Sequence, residues 1–273
     1  MMKHWTSPDN KIKKEVLTPG KSGDKPSEWC QCTITITEST QLPNLTNKTV
    51  IIGDSDGEIW RAIDIGLTTM CEKERAKFII NLNGTIVSLI LELHNFKSNG
   101  LIYEWDASRK YEMAMHHKDK GKECFLQNNN KDAAFRFTKA LKIILSVPID
   151  VESPPEVIDG ITVKNINCLK ATLFNNLATC YFKNQQWSMV IDLCNKVLSY
   201  DKDNVKALYK IGVAYENDRN FEKAYEALTK ALKLDPDNRA SAEHLACVKE
   251  ELKKAESRVN NMMKKMFVGA LHN

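Results

Sequence analysis

The 273-residue chain contains no run of about twenty apolar residues, which excludes a helix able to cross a bilayer. Its opening stretch, with Lys3, Pro8, Asp9, Lys11, Lys13 and Lys14, also lacks the apolar run of a secretory signal. Together these absences point to a cytoplasmic location, or a nuclear one. The cysteines are scattered, and no arrangement of them with histidine supplies the four ligands of a structural zinc site. Cys30 and Cys32 are two apart in a strand-like stretch and so share a face, but no second pair joins them; neither metal nor cofactor is expected. In a reducing compartment these thiols act as small buried hydrophobes, and the sequons at Asn44, Asn47 and Asn83 stay unused. His116 and His117 read as surface or packing residues, not ligands. Nucleic-acid binding is disfavoured, because no stacking-aromatic motif is present and the net charge of +4 is modest.

What is present is ordinary globular composition, 42% apolar and 27% charged, with length enough for two domains. Charge divides unevenly. Before Ala107 there are 12 Lys and Arg against 14 Asp and Glu, and from Ala107 onward 27 against 21, so the second half is the basic one and prefers an acidic partner.

That second half carries a period of 34 residues. Leu208, Ile211, Gly212 and Tyr215 lead on to Ala224, Leu228, Ala231 and Pro236. One period earlier stand Leu177, Ala178 and Tyr181, followed by Val190, Cys194 and Val197. An earlier unit is placed by Gly121, with Cys124, Ala133, Phe137 and Ala140. Small residues at these offsets let two helices approach while larger ones fill the space between units, and the pattern resembles the tetratricopeptide (TPR) repeat. Such a stack forms a concave peptide-binding surface. Between the first and second units, Val147-Pro148, Pro154-Pro155 and Asp159-Gly160 mark a long insertion before a helix that begins near Lys164.

The first half reads as strands. Cys32 to Thr37 alternates apolar and polar residues, Lys77 to Leu82 and Ile86 to Leu93 are rich in β-formers, and Asn83-Gly84 between them is a hairpin turn. Glu58 to Met70 has helical spacing. Val16-Leu17-Thr18-Pro19-Gly20, the Thr33 to Thr37 strand, and the frame Asp64, Gly66, Met70, Glu74 and Ala76 resemble an FKBP-type immunophilin domain over roughly residues 12–97. The resemblance implies a prolyl-isomerase ancestry in which an aromatic-lined pocket binds the X-Pro bond. Here Ile63 stands at the position of its tryptophan floor and Ile36 at that of its strand tyrosine. Glu38 replaces a small residue, and the tight Asn83-Gly84 turn replaces the long pocket loop. Lowering an amide barrier of about 18–20 kcal/mol needs such walls, so the domain is expected to be inactive. The degenerate pocket comprises Ile36, Ile59, Trp60, Ile63 and Phe78, and an active isomerase would require a cavity surviving around Trp60 and Phe78.

The expected fold is α+β: an antiparallel sheet with one short helix over residues 12–97, a linker over 98–110, then an all-α solenoid of three helix pairs over 111–238. A capping helix over 239–267 closes the solenoid. Similarity to TPR immunophilins implies a two-carboxylate clamp from Lys118, Asn176, Lys206 and Lys210, with Lys122 where the family usually has asparagine. Converging cations and one amide suit the acidic Glu-Glu-Val-Asp terminus of the 90-kDa heat-shock protein, or of the 70-kDa chaperone. Lys210 keeps the charge of the family's arginine without its planar fork. The alternative is a TPR scaffold with a non-chaperone ligand. The basic ending Lys264-Lys265-Met266-Phe267 weakly resembles a calmodulin target.

Overall fold

A computed structural model describes residues 4–150 and 152–270, with side chains in the last helix described as far as Lys264. The chain divides into two compact units, Met1–Trp105 and Asp106–Asn273. That boundary falls inside the 98–110 segment assigned to a linker. Ile102–Glu104 is a turn of 3-10 helix, Trp105 packs 6.0 Å from Trp29, and Asn99 donates to the Trp29 carbonyl at 2.8 Å, so these residues belong to the first unit.

The first unit is a six-stranded antiparallel sheet with one α-helix. Its strands are β1 (His4–Thr6), β2 (Ile12–Thr18), β3 (Gln31–Thr37), β4 (Leu45–Ile51), β5 (Arg75–Leu82) and β6 (Thr85–Lys97), in the order β1-β2-β5-β6-β3-β4. Alternation in β3 puts Cys32, Ile34 and Ile36 fully inside and leaves the intervening threonines half-buried on the other face, as a period of two requires. Asn83 and Gly84 both take positive φ, 51° and 95°, which matches the turn twist needed to join β5 to β6 in two residues. Helix α1 (Glu58–Leu67) buries Ala62, Ile63 and Leu67 against the sheet. Phe78 from β5 reaches so close that a Cβ on Gly66 would stand 2.7 Å from its ring.

The second unit contains three antiparallel helix pairs: α2 (Ala107–Leu126) with α3 (Asn130–Leu145), α4 (Val163–Lys183) with α5 (Trp187–Tyr200), and α6 (Val205–Asn217) with α7 (Phe221–Leu234). Side-chain caps start most of them: Asp106, Asn129, Thr162, Asn204 and Asn220 each accept a backbone N–H three residues on. The insertion is more ordered than a loop. Val157–Ile158 and Ile161–Thr162 form a small hairpin, β7 and β8, turned at Asp159-Gly160, and Asp159 Oδ2 accepts the Ala107 N–H at 2.8 Å.

A final helix, α8 (Arg239–Ala270), follows. Leu245 and Val248 join Ala224 and Leu228 in a core that Tyr209, Tyr215 and Leu252 flank, and His244 Nδ1 lies 2.5 Å from Glu216 Oε2 on α6. Beyond that the helix is exposed, with Val259, Met262 and Met263 open to solvent. In the Lys264–Phe267 ending, only Lys264 has a described side chain; the side chains of the other three lie outside the description.

Candidate peptide-binding groove

The five clamp candidates lie on the first helix of each pair: Lys118 and Lys122 on α2, Asn176 on α4, Lys206 and Lys210 on α6. Asn176 and Lys210 are one 34-residue period apart, while the insertion displaces Lys118 and Lys122 from that spacing, and the five environments differ sharply. Lys118 is buried, its Nζ donating to Met115 Sδ at 3.1 Å and lying 3.5 Å from Asp119 Oδ1. Lys122 is half in solvent and 3.9 Å from the same carboxylate. Lys210 is buried, and its Nζ donates to Asn175 Oδ1 at 2.7 Å. Burial pushes the Lys210 ammonium below the usual lysine range; Cys194 opposes the shift and the Lys206 charge adds to it. Lys206 is exposed, one turn earlier on the same helix.

Asn176 has its side-chain Nδ2 buried, with no hydrogen-bond partner among the described residues. It lines a cavity of about 210 Å³ together with Lys122, Phe125, Leu126, Phe137 and Thr179. The Lys183 ammonium stands 4.1 Å over the Phe125 ring at this site. The structure therefore brings Lys122 and Asn176 to one cavity, and Lys210 to the residue adjoining Asn176. The amine of Lys118 is held by its own helix.

Sequence reasoning missed Asn175, Phe125, Leu126 and Thr179 as site residues. Helical spacing could have found three of them, since Phe125 and Leu126 follow Lys122 by one turn and Thr179 follows Asn176 by one. Chemically, the surface combines ammonium donors, one unengaged amide and an apolar recess. Ammonium and amide donors of this kind complement an anionic group better than a neutral one.

The degenerate isomerase positions are differently placed. Ile36, Ile63 and Phe78 are core side chains exposed by 1% or less, and Ile59 and Trp60 are partly buried against that core. The cavity of about 310 Å³ in this unit is lined by other residues.

Residues 205–238, the α6 and α7 pair, match the tetratricopeptide repeat family. The FK506-binding protein-like protein of Mus musculus is 29% identical over 269 residues, covering 96% of this chain and 73% of that relative. A solved C-terminal TPR-containing domain of a Plasmodium falciparum FK506-binding protein is 34% identical. It covers 57% of this chain and 99% of that domain, with a TM-score of 0.51. The structure of residues 1–211 of CG17282 is 19% identical and covers 68% of this chain and 95% of that one. Its TM-score is 0.59, a likeness of fold.

Proposed function

The chain belongs to the FKBP-like proteins that carry a TPR domain, and from that membership we propose that it is a non-catalytic co-chaperone gripping the acidic C-terminus of a heat-shock chaperone. The 90-kDa protein is the first expected partner and the 70-kDa protein the second. The observation carrying the reading is Asn176. A buried amide without a partner costs about 1–3 kcal/mol, a cost that a peptide carboxylate or carbonyl would remove. Lys122 is beside it, and Lys206 and Lys210 on the next inner helix supply charge for the carboxylates. The apolar recess of Phe125, Leu126 and Phe137 suits the side chain of a terminal residue.

Calorimetric titration of the full chain with a peptide ending Glu-Glu-Val-Asp tests this. Binding should weaken as salt is added. Lys210→Ala should cost about 2 kcal/mol or more, because a desolvated charge contact is lost, while the exposed Lys206→Ala should cost less and mainly slow association. Absence of any response at high protein concentration would overturn the proposal.

The same reading makes the first unit a binding or structural module. With isoleucine at both positions where the family has pocket aromatics, nothing walls a twisted amide. A chymotrypsin-coupled prolyl-peptide assay should stay at the uncatalysed rate, and turnover above it would overturn this part.

A further inference from the structure

The first unit holds a cavity of about 310 Å³ away from the degenerate isomerase positions, at the carbonyl end of α1. Its volume is about ten times the ~30 Å³ that a water occupies in the liquid, and it falls at the low end of small-ligand sites. Trp5 and Val16 give it an apolar wall. On the same face, Lys14 pairs across the strands with Trp5, and it forms a buried ion pair in the lining, Lys14 Nζ to Glu74 Oε1 at 2.6 Å, with side chains 5% and 7% exposed.

Within this pair Glu74 Oε1 meets Lys14 as an ion-pair contact and has no hydrogen-bond partner among the described residues. Lys14 also donates to the Thr69 carbonyl at 2.8 Å and lies 3.2 Å from Thr69 Oγ1, while Glu74 Oε2 accepts the Cys71 N–H at 3.0 Å. One ammonium thus answers both negative features of the wall, the carboxylate and the carbonyl end of the helix. The remaining charged group in the lining is Lys25, which is exposed and has no hydrogen-bond or ion-pair partner among the described residues. The segment that leads to it, residues 20–21, is tied to Glu72, between the lining residues Cys71 and Glu74. Lys21 N–H donates to the Glu72 carbonyl at 2.7 Å, and Gly20 packs so tightly that a Cβ there would stand 2.5 Å from the same oxygen.

We infer that this cavity binds a small amphipathic carboxylate, its apolar body against Trp5 and Val16 and its anionic group on Lys25. With the Glu74 carboxylate in the same lining, Lys25 leaves one net positive charge to neutralise, which a monoanion matches and a phosphate dianion exceeds. The site is independent of the TPR groove and needs no isomerase chemistry.

The test titrates 4-phenylbutyrate, and separately its neutral counterpart 4-phenylbutanamide, into the full nitrogen-15-labelled chain. The carboxylate should shift the Trp5 indole N–H and the amides of Thr68, Thr69 and Cys71 saturably, and it should bind about 10-fold or more tightly than the amide. Lys25→Ala and the stem-preserving Lys25→Gln should both reduce the carboxylate to the amide's affinity, with the remaining spectrum unchanged. Equal binding of the two compounds, shifts centred elsewhere, no shift at millimolar concentration, or unaltered carboxylate affinity in both variants would each overturn the inference.

Discussion

Gly121 and Gly212 hold corresponding places in the first and third helix pairs, and their facing partners are the large side chains Phe137 and Leu228. A Cβ on either glycine would lie 2.6 Å from its partner. In the second pair the corresponding residues are Ala178 and Cys194, a larger residue on one helix and a smaller one on the other, both fully buried. Volume is therefore traded across the interface. Gly121→Ala should destabilise the unit by about 1–3 kcal/mol in urea denaturation, through overpacking against Phe137. Combining it with Phe137→Leu should recover part of that loss. An additive double variant would show that the two positions do not share a space. This compensation is also why the repeat was legible in the sequence: small and large residues recur at fixed offsets because two helices must fit. The candidate clamp lysines were named from the resemblance to TPR immunophilins, and they do lie on the first helix of their pairs. Their burial was not legible, because the inward turn of Lys118 and Lys210 depends on Met115, Asp119 and Asn175, and the 34-residue period says nothing about those.

Among the elements, α8 has two parts with different physics. Its first part contributes Leu245 and Val248 to a closed cluster, each worth about 1.5–3 kcal/mol on burial. Ala242, on the outer face of the same turn as the buried Ser241, is exposed, and so is Val259 farther along the helix. Removing residues 239–273 should lower the melting temperature of the second unit and promote aggregation, whereas removing 254–273 should leave the melt nearly unchanged. Equal melting of the two truncated chains would defeat this division. Strand β4 and the hairpin of β7 and β8 escaped sequence reading for their own reasons. The first is an edge strand, exposed over most of its length and interrupted by Asn47 at φ 51°, so it lacks the alternation of a half-buried strand. The hairpin strands have two residues each, too few for any period.

At the scale of the whole molecule, buried thiols link the two units to pH. Burial pushes Cys32 up to about 12, with the Cys30 and Asp64 charges adding to the effect. In the second unit burial pushes Cys194 to about 12 and Cys180 to about 11, opposed by Lys210 and Lys183 respectively. A folded pKa above the unfolded one contributes stability that is fully present below the ordinary thiol range and is lost as pH rises through the folded values. Thermal melts should therefore hold steady to about pH 8 and fall progressively toward pH 11; a flat profile would contradict the assignment. Asp159 reaches back to the first turn of α2. The acceptor lies 52 residues after the donor, beyond the whole first helix pair, so during synthesis that pair leaves the ribosome before the group that completes its leading turn exists. The first helix pair can therefore form on its own Asp106 cap, and it gains the Asp159 tie only once the segment before the second repeat has been made.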